Sequence, residues 1–151
     1  MDMTEKEFSE KLINNIETIK KKQPNMINEM MAPEYYASSA EEIWAEYKFP
    51  VQEWESNLAR QLHGGVTAAM FDFSMGVLTR VAFDMKFVPT IELNVTYVRP
   101  ADVGENVIIK AKVIHGGKRI VHLSSEMYNE TTGKSVAHAR GMFLNENTAG
   151  K

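Results

Sequence analysis

The N-terminal segment carries hydrophobic residues at helical spacing. These residues are Phe8, Leu12, Ile16 and Ile19. Thr4 and Glu7 have the spacing of a capping box, which satisfies the first free N–H groups of a helix. Because Pro24 cannot continue a helix, the segment between Thr4 and Pro24 predicts one amphipathic helix. A short helical stretch is predicted to follow over 25–31, before Pro33.

The segment 38–49 carries two conflicting signals. Ser39 and Glu42 have the spacing of a helix cap. Apolar and polar residues alternate from Ile43 to Phe49, however, and this two-residue period is typical of a strand. We interpret the segment as a strand.

Residues 64–82 form the most apolar stretch of the chain. From Val66 to Leu78 almost every residue is apolar or small, so no polar face remains. A helix that is apolar on all sides is a buried helix. The pair Gly64-Gly65 marks its start, and Pro89 follows its end. The sequence therefore predicts a long central helix that other elements must cover.

Four strands are predicted after this helix, over 90–98, 107–114, 120–128 and 135–144. Short loops join them, which implies an antiparallel sheet. Because the buried helix needs cover on every side, the sheet must curl around it. The expected fold class is α+β, with the sheet wrapped around the helix. Residues 145–151 are predicted to form a frayed tail.

Composition limits the classes of protein that remain. The chain has 151 residues, the size of one domain. Its 17 Lys and Arg against 20 Asp and Glu give a formal charge of −3, which does not favour nucleic acid or an anionic membrane as partner. The absence of cysteine excludes disulfides, Cys-based metal sites and thiol nucleophiles. Without a signal-like N-terminus or an apolar run of membrane-spanning length, we expect a cytoplasmic protein.

Asp72 is the one charged residue between Val66 and Leu78. A carboxylate on a buried helix costs several kcal/mol unless it gains a partner or its pKa rises. Buried acids are rare and concentrate at functional sites, so Asp72 is a candidate catalytic group. The alternative is that Asp72 lies on a solvent-facing strip of the helix and has no role.

A second candidate is the sequence His63-Gly64-Gly65, where the same helix begins. N–H groups in the first turn have no helical acceptor, and the helix dipole favours negative charge there. Two glycines let a ligand approach the backbone, so this turn is suited to an oxyanion hole. An ordinary glycine-rich helix entry is equally compatible with the tripeptide alone. The same tripeptide at 115–117 lies between two predicted strands, where we interpret it as a hairpin loop.

The spacing of the two candidates constrains the assembly. Gly64 and Asp72 are eight residues apart in the sequence, or ~12 Å along a helix axis. One helix therefore cannot bring both groups to the same carbonyl. If both act in one reaction, a second subunit must supply one of them, and a two-fold axis would create two equivalent sites.

Other catalytic constellations are weaker. Ser74 lacks the first glycine of a nucleophile elbow. The four histidines lack metal-ligand spacing, although His122 and His138 could face each other across strands. No phosphate loop or dinucleotide fingerprint is present, and we predict no metal site.

The candidate residues together resemble a known signature. Asn57, the run 62–69 and Asp72 resemble the motif of the PaaI-type (phenylacetate-pathway) acyl-CoA thioesterases of the hotdog fold. Similar stretches follow at 92–101, 104–105 and 133–134. The resemblance covers roughly residues 43–145. It implies a sheet wrapped around a helix, hydrolysis of an acyl-CoA thioester to a free acid and coenzyme A, and no metal or bound cofactor.

The resemblance also implies an assembly and roles for individual residues. Subunits would form a homodimer with a continuous sheet, or a dimer of dimers, with the site at the interface. Asp72 would be the general base or the nucleophile, and both chemistries stay open. Gly64 would donate its N–H to the thioester oxygen, with His63 shaping the turn. Asn57 would position water or the carbonyl, and Thr90 would assist from the subunit that carries the aspartate.

Coenzyme A carries several negative charges, so basic side chains are expected at the mouth of the site. The candidate substrate contacts are Gly65, Arg60, Arg99, Lys118 and Arg119. Each of the four basic residues in this set could equally be an ordinary surface residue. Five methionines are candidates for an adaptable acyl-chain wall, or equally for core filling: Met70, Met75, Met85, Met127 and Met142.

One departure from the family concerns Arg60, where the family often has glycine three residues after the matching asparagine. It leaves open a non-catalytic acyl-CoA-binding or sensor protein on the same fold. A hotdog dehydratase or hydratase is a weaker alternative, because no His–acid pair has the matching spacing. We expect residues 1–37 to be an N-terminal helical extension and residues 38–151 the hotdog domain of a single-domain protein.

Overall fold

A computed structural model describes residues 1–146 of the chain. Within that range, three helices and six strands follow one another in the order α1 Glu5–Lys22, α2 Ile27–Met30, β1 Glu34–Ser39, β2 Trp44–Pro50, α3 Gly64–Ala82, β3 Thr90–Tyr97, β4 Asn106–Gly116, β5 Ile120–Asn129 and β6 Ser135–Leu144. A single 3₁₀ turn, Glu53–Glu55, lies between β2 and α3. Residues 147–151, the end of the predicted tail, lie outside the described residues.

The strands form one antiparallel sheet in the order β1-β2-β4-β5-β6-β3. Alternate residues of the strands face α3, and the sheet curls around this helix as its all-round apolarity requires. The predicted α+β fold is confirmed. Strand β3 lies at one edge, paired on one side with β6, and its other side has no strand beside it among the described residues.

The predicted single strand over 38–49 is wrong in its first half. Residues 40–43 form a turn between β1 and β2, and Ile43 has a positive φ of 50°. The Ser39 hydroxyl accepts the Glu42 N–H, so the capping signal at these positions closes a turn instead of starting a helix. Strand β1, which starts at Glu34, was not predicted.

Helix α1 packs against β1 and α3 and is fixed by its first turn. Thr4 and Glu7 form the predicted capping box. The Glu5 carboxylate accepts the backbone N–H groups of Ala40 and Glu41, which joins the helix to the β1–β2 turn. These hydrogen bonds stabilise the ionised form and lower the pKa of Glu5.

Most of the methionines proposed as an acyl-chain wall fill the core instead. Met70, Met75 and Met127 are fully buried, and Met85 is nearly so. Met142 lies on the outer face of the sheet opposite His122. No helix within residues 1–146 is both long enough and apolar enough to cross a membrane.

Glu55 is the one acidic side chain in the core of the described chain, with 0% of its surface exposed. Its Oε1 accepts the Gln52 N–H at 2.7 Å, whereas its buried Oε2 has no hydrogen-bond partner in the described part of the chain. Removal from water disfavours the carboxylate, and this raises the pKa of Glu55 from 4.5 to about 7.

A matched pair of substitutions measures how firmly α1 docks. Ile16 is 1% exposed and Ile13 is 40% exposed on the same helix. We expect Ile16→Ala to lower the free energy of unfolding by about 2–4 kcal/mol, because it leaves a cavity. Ile13→Ala should change it by less than about 0.5 kcal/mol. Urea titration measures both, and equal losses would contradict the described docking.

The buried Glu55 predicts a pH-dependent loss of stability. Below pH 4.5 the side chain is protonated in both states and carries no penalty, whereas above about pH 7 the folded state holds a buried carboxylate. Relative to Glu55→Gln, the wild-type free energy of unfolding should fall by roughly 3 kcal/mol as the pH rises through this window. Urea titrations at several pH values measure it. Glu41→Gln, at an exposed position, should show no such trend, and a flat difference for Glu55→Gln would refute the prediction.

Candidate active site

The first turn of α3 presents a free backbone donor. His63 is the N-cap residue, and its Nδ1 accepts the Gly65 N–H at 2.9 Å. The His63 carbonyl accepts the Thr67 N–H. The Gly64 N–H has no acceptor among residues 1–146. An N–H at a helix N-terminus without a protein acceptor is suited to a developing oxyanion.

Asn57 lies in the loop that leads into α3. Its Oδ1 accepts the N–H groups of Ala59 and Gln61, which fixes the orientation of the amide. A hydrogen bond of 2.8 Å from the Asn57 N–H to the Gln61 carbonyl closes the loop. Because both contacts use the side-chain carbonyl, the Asn57 NH₂ group is left to donate to a ligand.

Gly64 and Asn57 open onto one cavity of about 350 Å³. Tyr97 and Arg99, at the end of β3, form another part of its wall. The Tyr97 hydroxyl donates to the Gly64 carbonyl, and Arg99 Nη1 donates to the Ser135 carbonyl at 2.8 Å. The structure therefore brings together the predicted oxyanion donor, the predicted amide and one predicted cation.

Asp72 lies apart from this cavity, on a half-buried strip of α3. The strip consists of Ala68, Ala69, Asp72 and Gly76. The Thr90 hydroxyl donates to Asp72 Oδ1 at 2.6 Å, so these two residues meet within one subunit. Asp72 is thus half-buried, between the two alternatives of a buried acid and a solvent-facing position, and its partner Thr90 belongs to the edge strand β3.

Arg60 occupies the position where the resembled family often has glycine. Its φ is +58°, in the left-handed region that costs residues other than glycine roughly 1–2 kcal/mol. The Arg60 N–H reaches the Asn57 carbonyl at 3.0 Å, so the loop closes despite the departure. The guanidinium forms an ion pair with Glu53, which neutralises the cation expected at the mouth of the site.

The remaining predicted cations lie at the other end of the sheet. Lys118 and Arg119 occupy the β4–β5 hairpin, whose strand β5 places Val121 opposite Phe143. Phe143 in turn lies opposite Thr90. Arg99 therefore lies near Gly64, whereas Lys118 and Arg119 lie at the end of the sheet that contains Thr90 and Asp72.

The histidine expectations are partly corrected. His122 lies opposite Met142 and close to His115, with ring centroids 6.2 Å apart, and does not face His138. Across the portion of the chain that is described, no three His, Asp or Glu side chains converge as a metal site. The second tripeptide, 115–117, lies in a hairpin as predicted, closed by the Gly117 N–H on the Ile120 carbonyl.

Two residues near the site were missed from the sequence. Tyr97 lies within the predicted strand 90–98, and nothing local showed that its hydroxyl reaches Gly64. Glu55 gave no signal, because an acidic residue in a loop ordinarily lies in solvent. Its carbonyl accepts the His63 N–H at 2.8 Å and so joins the buried acid to the start of α3.

Comparison with known proteins identifies the fold and the family. The model of the thioesterase superfamily matches residues 61–136. A mouse protein named acyl-coenzyme A thioesterase 13 is 32% identical over 106 residues, which cover 69% of this chain and 73% of that protein.

Two solved structures share the fold. The Escherichia coli PaaI protein from the phenylacetic acid degradation operon has a TM-score of 0.77 at 19% identity, over 91% of this chain and 95% of its own. Mouse thioesterase superfamily member 2 has a TM-score of 0.75 at 24% identity, over 88% of this chain and 96% of its own. The hotdog fold and the resemblance to PaaI-type enzymes are confirmed. On the family match and the mouse relative, this chain belongs to the thioesterase superfamily and is a thioesterase enzyme.

Proposed function

We propose that the protein hydrolyses an acyl-CoA thioester to a free acid and coenzyme A. The observation that carries this proposal is the pairing of a free Gly64 N–H at the start of α3 with an Asp72 carboxylate held by Thr90. A thioester needs a donor for its carbonyl oxygen and a base for the attacking water, and the chain offers one of each. The name of the mouse relative supports acyl-CoA as the substrate class.

The proposed site is shared between two subunits. Thr90 begins β3 and Tyr97 ends it, so these residues lie ~23 Å apart at ~3.3 Å per residue. Antiparallel pairing of two β3 edges about their midpoint would place Thr90 of the partner subunit opposite Tyr97. Asp72 of the partner subunit would thereby approach the Gly64 cavity.

The open edge of the sheet supports such a homodimer. An unpaired strand is a template for pairing with another chain. In the single chain, Ile91 is 49% exposed, Tyr97 is 55% exposed and Val98 is 48% exposed, all at or next to this edge. A two-fold axis through the edge would cover these side chains and create two equivalent sites.

The chemistry divides between the two halves. The Gly64 N–H and the Asn57 NH₂ donate to the carbonyl oxygen and stabilise the tetrahedral oxyanion. Asp72 of the partner subunit removes a proton from the water that attacks the carbonyl carbon. The C–S bond then breaks, and the thiolate of coenzyme A leaves and takes the proton back from Asp72, which restores the carboxylate. Thr90 occupies Asp72 Oδ1, which leaves Oδ2 for the water.

The cations that would hold the phosphates of coenzyme A follow from the same pairing. Arg99 lies in the cavity wall, and its guanidinium keeps donors beyond the one used on Ser135. Lys118 and Arg119 would approach from the Asp72 half of the partner subunit. Arg60 is left out, because Glu53 neutralises it. The alternative of a non-catalytic sensor rested on Arg60 in place of glycine beside Asn57, and it is weakened because the Asn57 loop closes with Arg60 present.

Release of coenzyme A from a panel of acyl-CoA esters, followed with a thiol-reactive dye, tests the activity. The chain has no cysteine, so any thiol signal comes from the substrate. We expect Asp72→Asn to lower kcat by roughly 10²–10⁴-fold, because it removes the base. Asp84→Asn, an exposed carboxylate just after α3, is the matched control and should keep wild-type turnover. Unchanged turnover in Asp72→Asn would refute its role.

Mixed dimers test the shared site. Gly64→Pro removes the N–H while proline suits the first position of a helix, and Asp72→Asn removes the base. Each variant alone should lose at least about 10²-fold in turnover, which leaves a residual rate that can still be measured. After the two are unfolded together and refolded in equal amounts, about half of the dimers are mixed, and each mixed dimer has one intact site of two. We expect about a quarter of the wild-type activity to return. No recovery, with mixed dimers shown by mass spectrometry, would contradict a shared site.

A further inference from the structure

Side chains hold both polar groups of the peptide between Gly64 and Gly65. The Tyr97 hydroxyl donates to its carbonyl, the Gly64 oxygen, at 2.5 Å. His63 Nδ1 accepts its N–H, that of Gly65, at 2.9 Å. We call this arrangement the peptide clamp. The two side chains come from separate elements, since His63 caps α3 and Tyr97 ends β3.

The clamp lies where the backbone has the most conformational freedom. Two consecutive glycines have wide conformational freedom, and the first turn of a helix lacks part of its hydrogen bonding. Holding the Gly64–Gly65 peptide plane limits rotation about the backbone bonds of Gly64. The direction of the Gly64 N–H, which belongs to the preceding peptide, is then limited as well.

The Tyr97 ring also lies against Gly64. A Cβ added to Gly64 would lie 3.3 Å from the ring carbon Cζ and from the hydroxyl oxygen. This contact is tight for any residue larger than glycine, so the ring and the glycine fit each other. The ring forms part of the cavity wall beside Asn57. Tyr97 thus touches the oxyanion-donor turn through both its hydroxyl and its ring.

We propose that Tyr97 is a positioning residue for the oxyanion donor. Its hydroxyl, with His63 Nδ1, holds the Gly64–Gly65 peptide so that the Gly64 N–H points into the cavity before the substrate arrives. The inference rests on the proposed thioester hydrolysis. A donor fixed in advance stabilises the transition state without reorganising when charge develops, whereas binding of the ground-state substrate depends on it less. Loss of the hydroxyl should therefore reduce kcat more than it raises KM.

Steady-state kinetics of Tyr97→Phe give the first test, because phenylalanine keeps the ring and removes the donor. We expect kcat to fall about tenfold with KM changed less than about twofold, as for an interaction made mainly in the transition state. Tyr36→Phe, at an exposed tyrosine on β1, is the matched control and should keep both constants. A KM effect without a kcat effect would overturn the positioning role.

A double-mutant cycle then shows whether Tyr97 acts through Gly64. In a Gly64→Pro background the donor is absent, so Tyr97→Phe should cost nothing further. In an Asn57→Ala background the Gly64 N–H remains, so Tyr97→Phe should still cost about tenfold. Full additivity with Gly64→Pro would overturn the inference. Thermal unfolding of each variant confirms that the proteins compared are folded.

Amide hydrogen exchange provides a readout that does not depend on turnover. Tyr97→Phe should speed exchange of the Gly65 N–H several-fold in the folded protein, because the peptide plane is released, whereas Tyr36→Phe should not. If the wild type turns over acyl-CoA and Tyr97→Phe changes neither exchange nor kcat, the inference fails alone. If the wild type turns over no ester of the panel, the proposed function fails, and the inference fails with it even where the exchange rates show the clamp.

Discussion

The separation of Gly64 from Asp72 along one rigid helix is the constraint on which the site depends. An α-helix keeps these residues ~12 Å apart, and no side-chain rotation removes that distance. The free N–H lies at the N-terminal end, where the helix leaves it unpaired, and the carboxylate lies two turns further on. Under the proposed mechanism each subunit therefore holds two half-sites, and a complete site would need a second copy of the chain.

The all-round apolarity of α3 produces the surface on which two copies can meet. The sheet must curl around the helix, and its last strand in space, β3, is left with an unpaired edge. Thr90 and Tyr97 occupy the two ends of this edge, and each contacts one functional group of α3. The strand that closes the core therefore also holds the two half-sites at a fixed distance, and the same edge carries the exposed apolar side chains that a partner would cover.

The sequence predicted what depends on local pattern and missed what depends on packing. Helical period, the capping box and strand alternation located α1, α3 and the last four strands, and the motif located Gly64 and Asp72. Strand β1 was missed because its burial depends on α1, which covers it from elsewhere in the chain. The burial of Glu55 and the contact between Tyr97 and Gly64 join residues that are distant in sequence or hidden by a loop, and no periodicity reports such contacts.

The loop that carries Asn57 is held by costly features. Arg60 adopts a left-handed backbone, and Glu55 buries a carboxyl with one unpaired oxygen two residues before Asn57. Glycine at position 60 and an apolar residue at position 55 would avoid these free-energy costs. The Arg60 N–H donates to the Asn57 carbonyl and closes the loop, and the Glu55 backbone carbonyl accepts the His63 N–H, which joins the loop to the start of α3. Strain of this kind persists where the surrounding structure requires one geometry. The proposed mechanism sets such a requirement, because the Asn57 amide and the Gly64 N–H would polarise a thioester carbonyl only if the two donors converge on one oxygen.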